Sequence, residues 1–166
     1  MPIELVWSAK LEGDFDLKRF ASGLLERAQE NLRQDGYVQS AVFLLTNTDL
    51  QCYSVAFSGY KEKEGTYEEV FQKAREGNAV AIVTLNDAYV GTKLDPDEEY
   101  EWGQVAADPK GECLFVTISG PDLENWTKEV QYRRGPDGLC FSSPVEERNA
   151  LIGLLGEWSS NHQRAN

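Results

Sequence analysis

Hydrophobic and polar residues alternate along several short segments of this chain, and apolar residues recur at helical spacing along others. A period of two is typical of a strand with one buried face, whereas an uninterrupted apolar run indicates a strand covered on both faces. On these patterns, strands are predicted over residues 3–11, 38–45, 50–57, 79–85, 113–118, 126–133 and 139–142. The strand over 126–133 has the alternation expected of an edge strand with one wet face.

Three further segments combine the spacing of an amphipathic helix with a capping residue. The predicted helices cover residues 16–34, 66–78 and 145–158, and their N-terminal signals are Asp16, Thr66 and Ser143. Pro144 follows Ser143 at the first helical position, where proline is favoured, so this helix start carries the clearest local signal.

The predicted elements follow the order β-α-β-β-α-β-β-β-(β)-α. Hairpins dominate this order, and only the helix over 66–78 could serve a crossover between parallel strands. We therefore expect an α+β fold in which helices pack on the faces of a mixed or mostly antiparallel sheet. A length of 166 residues, with no repeat and no linker, fits one domain over 1–166.

The charge is strongly acidic, with 16 Lys and Arg against 28 Asp and Glu, a net charge of −12. Nucleic-acid-binding proteins and proteins that dock on anionic membranes usually show a basic surface, so neither partner is expected. A basic protein or a second copy of the chain remains compatible with this charge. No apolar run approaches a membrane span and the start does not resemble a signal peptide, so the expected location is cytoplasmic.

The chain offers few residues for metal or histidine chemistry. Cys52, Cys113 and Cys140 are far apart and each has apolar neighbours, which indicates three buried thiols in a reducing compartment rather than a zinc site. The single histidine, His162, lies in a polar tail over 159–166 that we expect to be frayed. No glycine-rich phosphate loop is present in the sequence. Neither a metal nor a cofactor is therefore expected.

Asp87 is the one candidate catalytic residue. It follows the predicted strand over 79–85, and acids at strand ends often line clefts in layered α/β proteins. The alternative is that Asn86 and Asp87 form a turn, which both residue types favour. If acids of the loop over 91–111 joined Asp87, the chain could be a carboxylate-dependent enzyme, assisted by Mg²⁺.

A second candidate site is the acidic loop over 91–111, which is long for a connection between elements. Aromatic residues are embedded among its acids: the partner-binding candidates are Asp97, Glu98, Glu99, Tyr100 and Trp102. An aromatic anchor with an acidic rim suits a basic protein partner, although a solubilising connection would have the same composition. We therefore predict a non-catalytic domain that binds a partner or itself, with the carboxylate-dependent enzyme as the alternative.

One short motif resembles a known group of proteins. The step Asp35-Gly36-Tyr37, between a long helix and an apolar strand, resembles a loose set of uncharacterised bacterial and phage proteins over about residues 20–90. In that set a later strand ends in a Ser-Glu-Ala-Trp-like tetrapeptide, where this chain has Asn86-Asp87-Ala88-Tyr89. The resemblance implies a small domain of unknown function and assigns no catalytic residue.

Overall fold

One antiparallel sheet runs through the described part of the chain, which in this computed structural model comprises residues 3–56, 60–89 and 112–148. The elements within these residues are β1 (Ile3–Lys10), α1 (Leu17–Asp35), β2 (Ala41–Leu45), β3 (Asp49–Val55), α2 (Tyr60–Glu76), β4 (Ala81–Tyr89), β5 (Glu112–Ser119), β6 (Trp126–Gly135), β7 (Gly138–Phe141) and β8 (Val145–Arg148).

Seven of the eight described strands form the order β1-β3-β2-β4-β5-β6-β7. The eighth, β8, pairs with the first part of β6, and β7 pairs with the last part. Every neighbouring pair in this sheet is antiparallel. The predicted α+β, single-domain fold is thereby confirmed for the described residues, and the sheet is antiparallel rather than mixed. Neither described helix has the length and apolar character needed to cross a membrane.

Helix α1 begins and ends where its capping residues predict. The Asp16 side chain accepts a hydrogen bond from the Arg19 backbone N–H at 3.1 Å, as an N-cap does. At the other end Gly36 has a φ of 82°, and its N–H donates to the Leu32 carbonyl at 3.0 Å. A left-handed residue is cheapest as glycine, so Asp35 is the last helical residue.

The two helices cover opposite faces of the sheet. Helix α1 buries Ala21, Leu25, Ala28 and Leu32 against side chains of β2, β4 and β5 that include Phe43, Leu45, Val83, Leu85, Leu114 and Val116. Helix α2 buries Tyr67, Val70, Phe71 and Ala74 against Val42, Leu44, Tyr53, Val55 and Ile82. Full burial of one large apolar side chain stabilises the fold by about 1.5–3 kcal/mol, so each interface contributes several kcal/mol.

The predicted C-terminal helix is wrong at its start. Val145–Arg148 form strand β8, which pairs with β6, and the Glu146 carboxylate lies 3.6 Å from the Lys128 ammonium group. The cross-strand ladder and this ion pair override the local helix signal of Ser143. The rest of the predicted helix, over 149–158, and the predicted tail over 159–166 lie outside the described residues.

Two other predictions from local patterns are wrong. Helix α2 begins at Tyr60, so Thr66 is an interior, fully buried residue of this helix rather than its N-cap. Strand β6 is not an edge strand, because β5 lies on one side of it and β7 and β8 lie on the other. Its predicted alternation is nevertheless confirmed, since Trp126, Val130 and Tyr132 are buried.

The cysteines are free thiols with different exposures. Cys52 and Cys113 are buried as predicted, whereas Cys140 is exposed on the short strand β7, contrary to the expectation of three buried thiols. Burial and the neighbouring Glu129 carboxylate raise the pKa of Cys113 to about 12, which suppresses its reactive thiolate form.

We expect thiol labelling to distinguish these positions. In the native protein a maleimide or disulfide reagent should modify one thiol rapidly, Cys140, and it should modify all three after denaturation. Mass spectrometry of the labelled peptides provides the measurement, and Cys140→Ser should abolish the rapid phase. Rapid native labelling of Cys113 would contradict the described packing of β5.

A pair of glycine substitutions tests the packing at the end of β5. A Cβ atom at Gly120 would lie 2.5 Å from the Val80 carbonyl oxygen and 2.9 Å from Leu123 Cδ1. Gly120→Ala should therefore lower the free energy of unfolding by about 1–3 kcal/mol, measured by urea denaturation. Gly23→Ala is the matched control, because a Cβ there meets nothing within 4 Å and should stabilise α1 by about 1 kcal/mol. Equal stability of the two variants would contradict the packing.

Candidate functional site

The predicted partner-binding residues of the acidic loop, Asp97, Glu98, Glu99, Tyr100 and Trp102, lie outside the described residues. The whole loop over 91–111 does so as well. Its interpretation as a binding site for a basic partner therefore stays a prediction.

Asp87 lies inside a strand and not in a turn. Strand β4 continues to Tyr89, and Asp87 is opposite Leu114 of β5. Its side chain is on the α1 face of the sheet, where the Tyr132 hydroxyl donates a hydrogen bond to Asp87 Oδ1 at 2.7 Å. Asn86 is on the opposite face, where its side-chain N–H donates to the Tyr67 hydroxyl of α2 at 3.4 Å. The pairing of β4 with β5 through Tyr89 corrects both predictions for Asn86 and Asp87: these residues form no turn, and the strand does not end before them.

An arginine next to Tyr132 extends this arrangement to the end of α1. Arg134 Nε donates to Glu112 Oε2 at 3.0 Å, and Arg134 Nη2 donates to the Gly36 carbonyl at 2.9 Å. The guanidinium also lies 5.8 Å from the centre of the Tyr132 ring. We call Asp87, Glu112, Tyr132 and Arg134 the Asp87 cluster. It joins three neighbouring strands and the C-terminal end of α1.

The pKa shifts in the Asp87 cluster place the proton of the Tyr132–Asp87 hydrogen bond on the tyrosine. Burial raises the pKa of Asp87, the hydrogen bond from Tyr132 lowers it, and the charges of Glu112 and Arg134 act in opposite directions. The pKa of Tyr132 is also raised, first by burial and then by the Asp87 carboxylate. At neutral pH the tyrosine therefore keeps its proton and acts as a donor, while Asp87 is the acceptor.

The described hydrogen bond of Asp87 connects strands β4 and β6 of the sheet. An enzyme assisted by Mg²⁺ would need several carboxylates around one ion. The residues that the structure describes contain no group of three or more His, Cys, Asp or Glu side chains placed to hold a metal. Glu112 is the acid whose charge acts on Asp87, and Arg134 already binds it. A catalytic role for Asp87 with acids of the loop over 91–111 stays a prediction, because that loop lies outside the described residues.

A different surface stands out at the end of the sheet. Leu5, Val6 and Trp7 of β1 are 53%, 58% and 43% exposed, and we call these three residues with the outer main chain of β1 the β1 edge. Strand β1 is terminal in the strand order and pairs only with β3 among the described strands. An end strand with unpaired outer main-chain groups and exposed apolar side chains can pair with another chain.

A β-bulge at Val6 distributes the apolar side chains over both faces. The register with β3 shifts between Leu5 and Trp7, so that Leu5 is opposite Tyr53 and Trp7 is opposite Cys52. Because Tyr53 belongs to the α2 side of the core and Cys52 to the α1 side, Leu5 and Trp7 lie on opposite faces. The extra residue of a bulge has no partner in the ladder, which leaves Val6 the most exposed of the three.

An aromatic row connects Trp7 with the core on the α1 face. The Trp7 ring lies 6.1 Å from Phe43, Phe43 lies 5.2 Å from Phe20, and Phe20 lies 5.4 Å from Phe15. Tilted and edge-to-face contacts at these distances are favourable. They pack one side of Trp7 against the core and leave the rest of the ring exposed.

The sequence predicted β1 as a strand but not its exposure. Alternation assigned its odd positions to one buried face, whereas only Ile3 of this strand is buried. The available signal was the apolar run Leu5-Val6-Trp7, because three consecutive apolar residues interrupt a period of two. Such an interruption is compatible with a bulge at a sheet edge.

Comparisons of the chain with protein-family models, with curated protein sequences and with solved structures find no match. They neither support nor oppose the resemblance to uncharacterised bacterial and phage proteins, which stays a prediction.

We expect Tyr132→Phe to show how the Asp87 cluster works. Loss of the hydroxyl removes the hydrogen bond that lowers the pKa of Asp87, so this pKa should rise further, as measured by NMR titration of the side-chain carboxyl. The free energy of unfolding should fall by about 1–2 kcal/mol, because the lost bond has a partly buried carboxylate as its acceptor.

Tyr37→Phe is the matched control for this variant, since the Tyr37 side chain is 65% exposed. It should leave both quantities unchanged. An unaltered pKa of Asp87 in Tyr132→Phe would show that the 2.7 Å contact does not hold the carboxylate in solution.

Proposed function

We propose that this chain is a non-catalytic protein-binding domain whose partner contacts the β1 edge. The observation that carries the proposal is the exposure of three apolar side chains, Leu5, Val6 and Trp7, on consecutive residues of a strand that ends the described sheet. The contacts of Trp7 with Phe43, and of Phe43 with Phe20, support one side of this surface.

The energetics of the β1 edge suit a binding site. Each of its side chains is about half exposed, so covering one by a partner would contribute about 1 kcal/mol. Tryptophan is among the residues that contribute most at protein interfaces, and a supported ring loses little conformational freedom on binding. Trp7 is therefore the expected anchor on the α1 face, and Leu5 is the expected apolar contact on the α2 face.

Charge and thiol chemistry support the choice of partner and compartment. A net charge of −12 disfavours nucleic acid and favours a basic protein. All three cysteines are free thiols, which is usual for proteins of reducing compartments. We therefore propose a cytoplasmic protein partner.

The acidic loop is the second surface proposed for the same function. The sequence indicates Tyr100 and Trp102 as its anchors among Asp97, Glu98 and Glu99. A partner could bind one surface or both, so an experiment must sample each of them separately.

Site-specific photo-crosslinking in cells that naturally produce the protein tests the proposal. A photoreactive phenylalanine analogue would replace Trp7, Trp102 or Tyr37 in separate experiments, and mass spectrometry would identify covalent adducts. Position 37 is the matched control, because Tyr37 is an exposed aromatic residue outside both surfaces. We expect a discrete protein adduct from position 7 and none from position 37. Adducts from position 102 alone would move the binding site to the acidic loop, and an absence of adducts from both sites would contradict the proposed function.

A further inference from the structure

We propose that the β1 edge receives an extended, basic segment of another protein, which joins the sheet as a strand beside β1. This inference rests on the proposed function and adds the conformation and charge of the partner. Three observations carry it: the orientation of the outer main chain, the placement of Leu5 and Trp7, and the charges around them.

The outer main-chain groups of β1 are oriented for strand addition. The Leu11 N–H donates to the Thr48 carbonyl at 2.9 Å, continuing the ladder between β1 and β3. Hydrogen bonds alternate along an antiparallel pair, so Trp7 and Ala9 also face β3, whereas the N–H and C=O groups of Ser8 and Lys10 face outward. An incoming strand can bond to these outward groups, as in other cases of β-strand addition.

The bulge gives an incoming strand apolar contacts on both of its faces. Because successive side chains of a strand alternate between faces, a partner strand would place some against Leu5 and others against Trp7. A globular partner that rests on one face of the sheet would reach only one of these two residues. Their placement on opposite faces therefore favours an extended partner.

The charges around β1 favour a basic partner over a second copy. Glu4 precedes the apolar run, and Glu12 and Asp14 follow the strand, whereas Lys10 is its one basic residue. All four side chains are exposed. A second copy would bring the same acids and a further net charge of −12, so electrostatic repulsion opposes self-association. A lysine- or arginine-containing segment would be attracted.

The bulge and Lys10 also have a protective interpretation. Natural sheets often place bulges and lysines on edge strands to prevent pairing with other chains. A protective edge would carry polar side chains at its centre, whereas β1 exposes Leu5, Val6 and Trp7 there. The bulge thus limits regular pairing to the part of the strand that follows it, residues 7–10, and leaves the apolar contacts to select the partner.

Synthetic peptides can test this inference without an identified partner. The probe is a capped ten-residue peptide with four consecutive valines at its centre and three lysines at each end, so that valine lies on both faces of the strand. Its controls carry glutamate in place of lysine or N-methyl groups on alternate amides. We expect the lysine peptide to bind about tenfold more tightly than the glutamate peptide, with an affinity that falls as salt is added. N-methylation should cause at least about a tenfold loss, because it removes the donors of the new ladder.

Amide hydrogen exchange and variants locate the site. The lysine peptide should slow exchange at Ser8 and Lys10, and Trp7→Ser should weaken its binding by about tenfold, whereas the control Tyr37→Ser should not. If Trp7→Ser fails to fold, the N-methylated peptide still tests the ladder on the unmodified protein. Equal binding of the glutamate peptide, or unchanged exchange at Ser8 and Lys10, would overturn the inference.

Sedimentation velocity adds the test for a second copy. A dimer of the free chain with slow exchange at Ser8 and Lys10 would show that another molecule of this protein occupies the edge, and would overturn the basic-partner proposal.

The photo-crosslinking experiment distinguishes failure of the strand-addition inference from failure of the proposed function. An adduct from position 7 combined with failed peptide binding leaves the proposed function standing and refutes the strand addition, whereas no adduct from positions 7 and 102 refutes the function itself.

Discussion

The burial of both faces of the central strands is the constraint on which the rest of this structure depends. Along β2, Phe43 and Leu45 contact the α1 side of the core and Val42 and Leu44 contact the α2 side. A strand with apolar residues on both faces is stable only between two covering layers, so each helix must take one face. Surface suitable for a partner is then left at the ends of the strand order, and β1 forms one of these ends.

The same constraint explains why an acid is tolerated inside β4. Tyr132 is 1% exposed, so its hydroxyl needs a partner within the protein. Asp87 of β4 supplies this acceptor to Tyr132, which lies two strands away in β6. Arg134 donates hydrogen bonds to the Glu112 carboxylate and to the backbone carbonyl of Gly36 at the end of α1. Asp87 is thus explained by the tyrosine that it satisfies. Its raised pKa follows from the burial that this contact requires and does not by itself indicate catalysis.

Local signals predicted the elements well and their surroundings poorly. The caps of α1 at Asp16 and Gly36 act within a few residues, so the sequence alone indicates them. The predictions of a helix at Val145 and of a turn or strand end at Asp87 are wrong for the same reason. Val145 pairs with Glu129 of β6 and Asp87 pairs with Leu114 of β5, and a short stretch of sequence does not reveal such distant partners. Helix and turn preferences of about 1 kcal/mol yield to several ladder hydrogen bonds and to core packing.

Strand β1 shows most clearly where sequence reasoning ends. Its composition indicates a strand, but whether a strand is central or terminal depends on which partners the remaining chain provides, and the pattern of one strand does not contain this information. Because β1 ends the described sheet, the apolar run at Leu5, Val6 and Trp7 belongs to the surface and not to the core.

Charged and apolar side chains at the β1 edge would affect binding in different ways. Charges at Glu4, Glu12 and Asp14 act over about a Debye length and govern the rate of encounter, whereas the apolar side chains act only in contact and govern how long a complex lasts. The proposed partner, a basic and extended segment, would match both kinds of group, whereas a second acidic copy would match only the apolar ones.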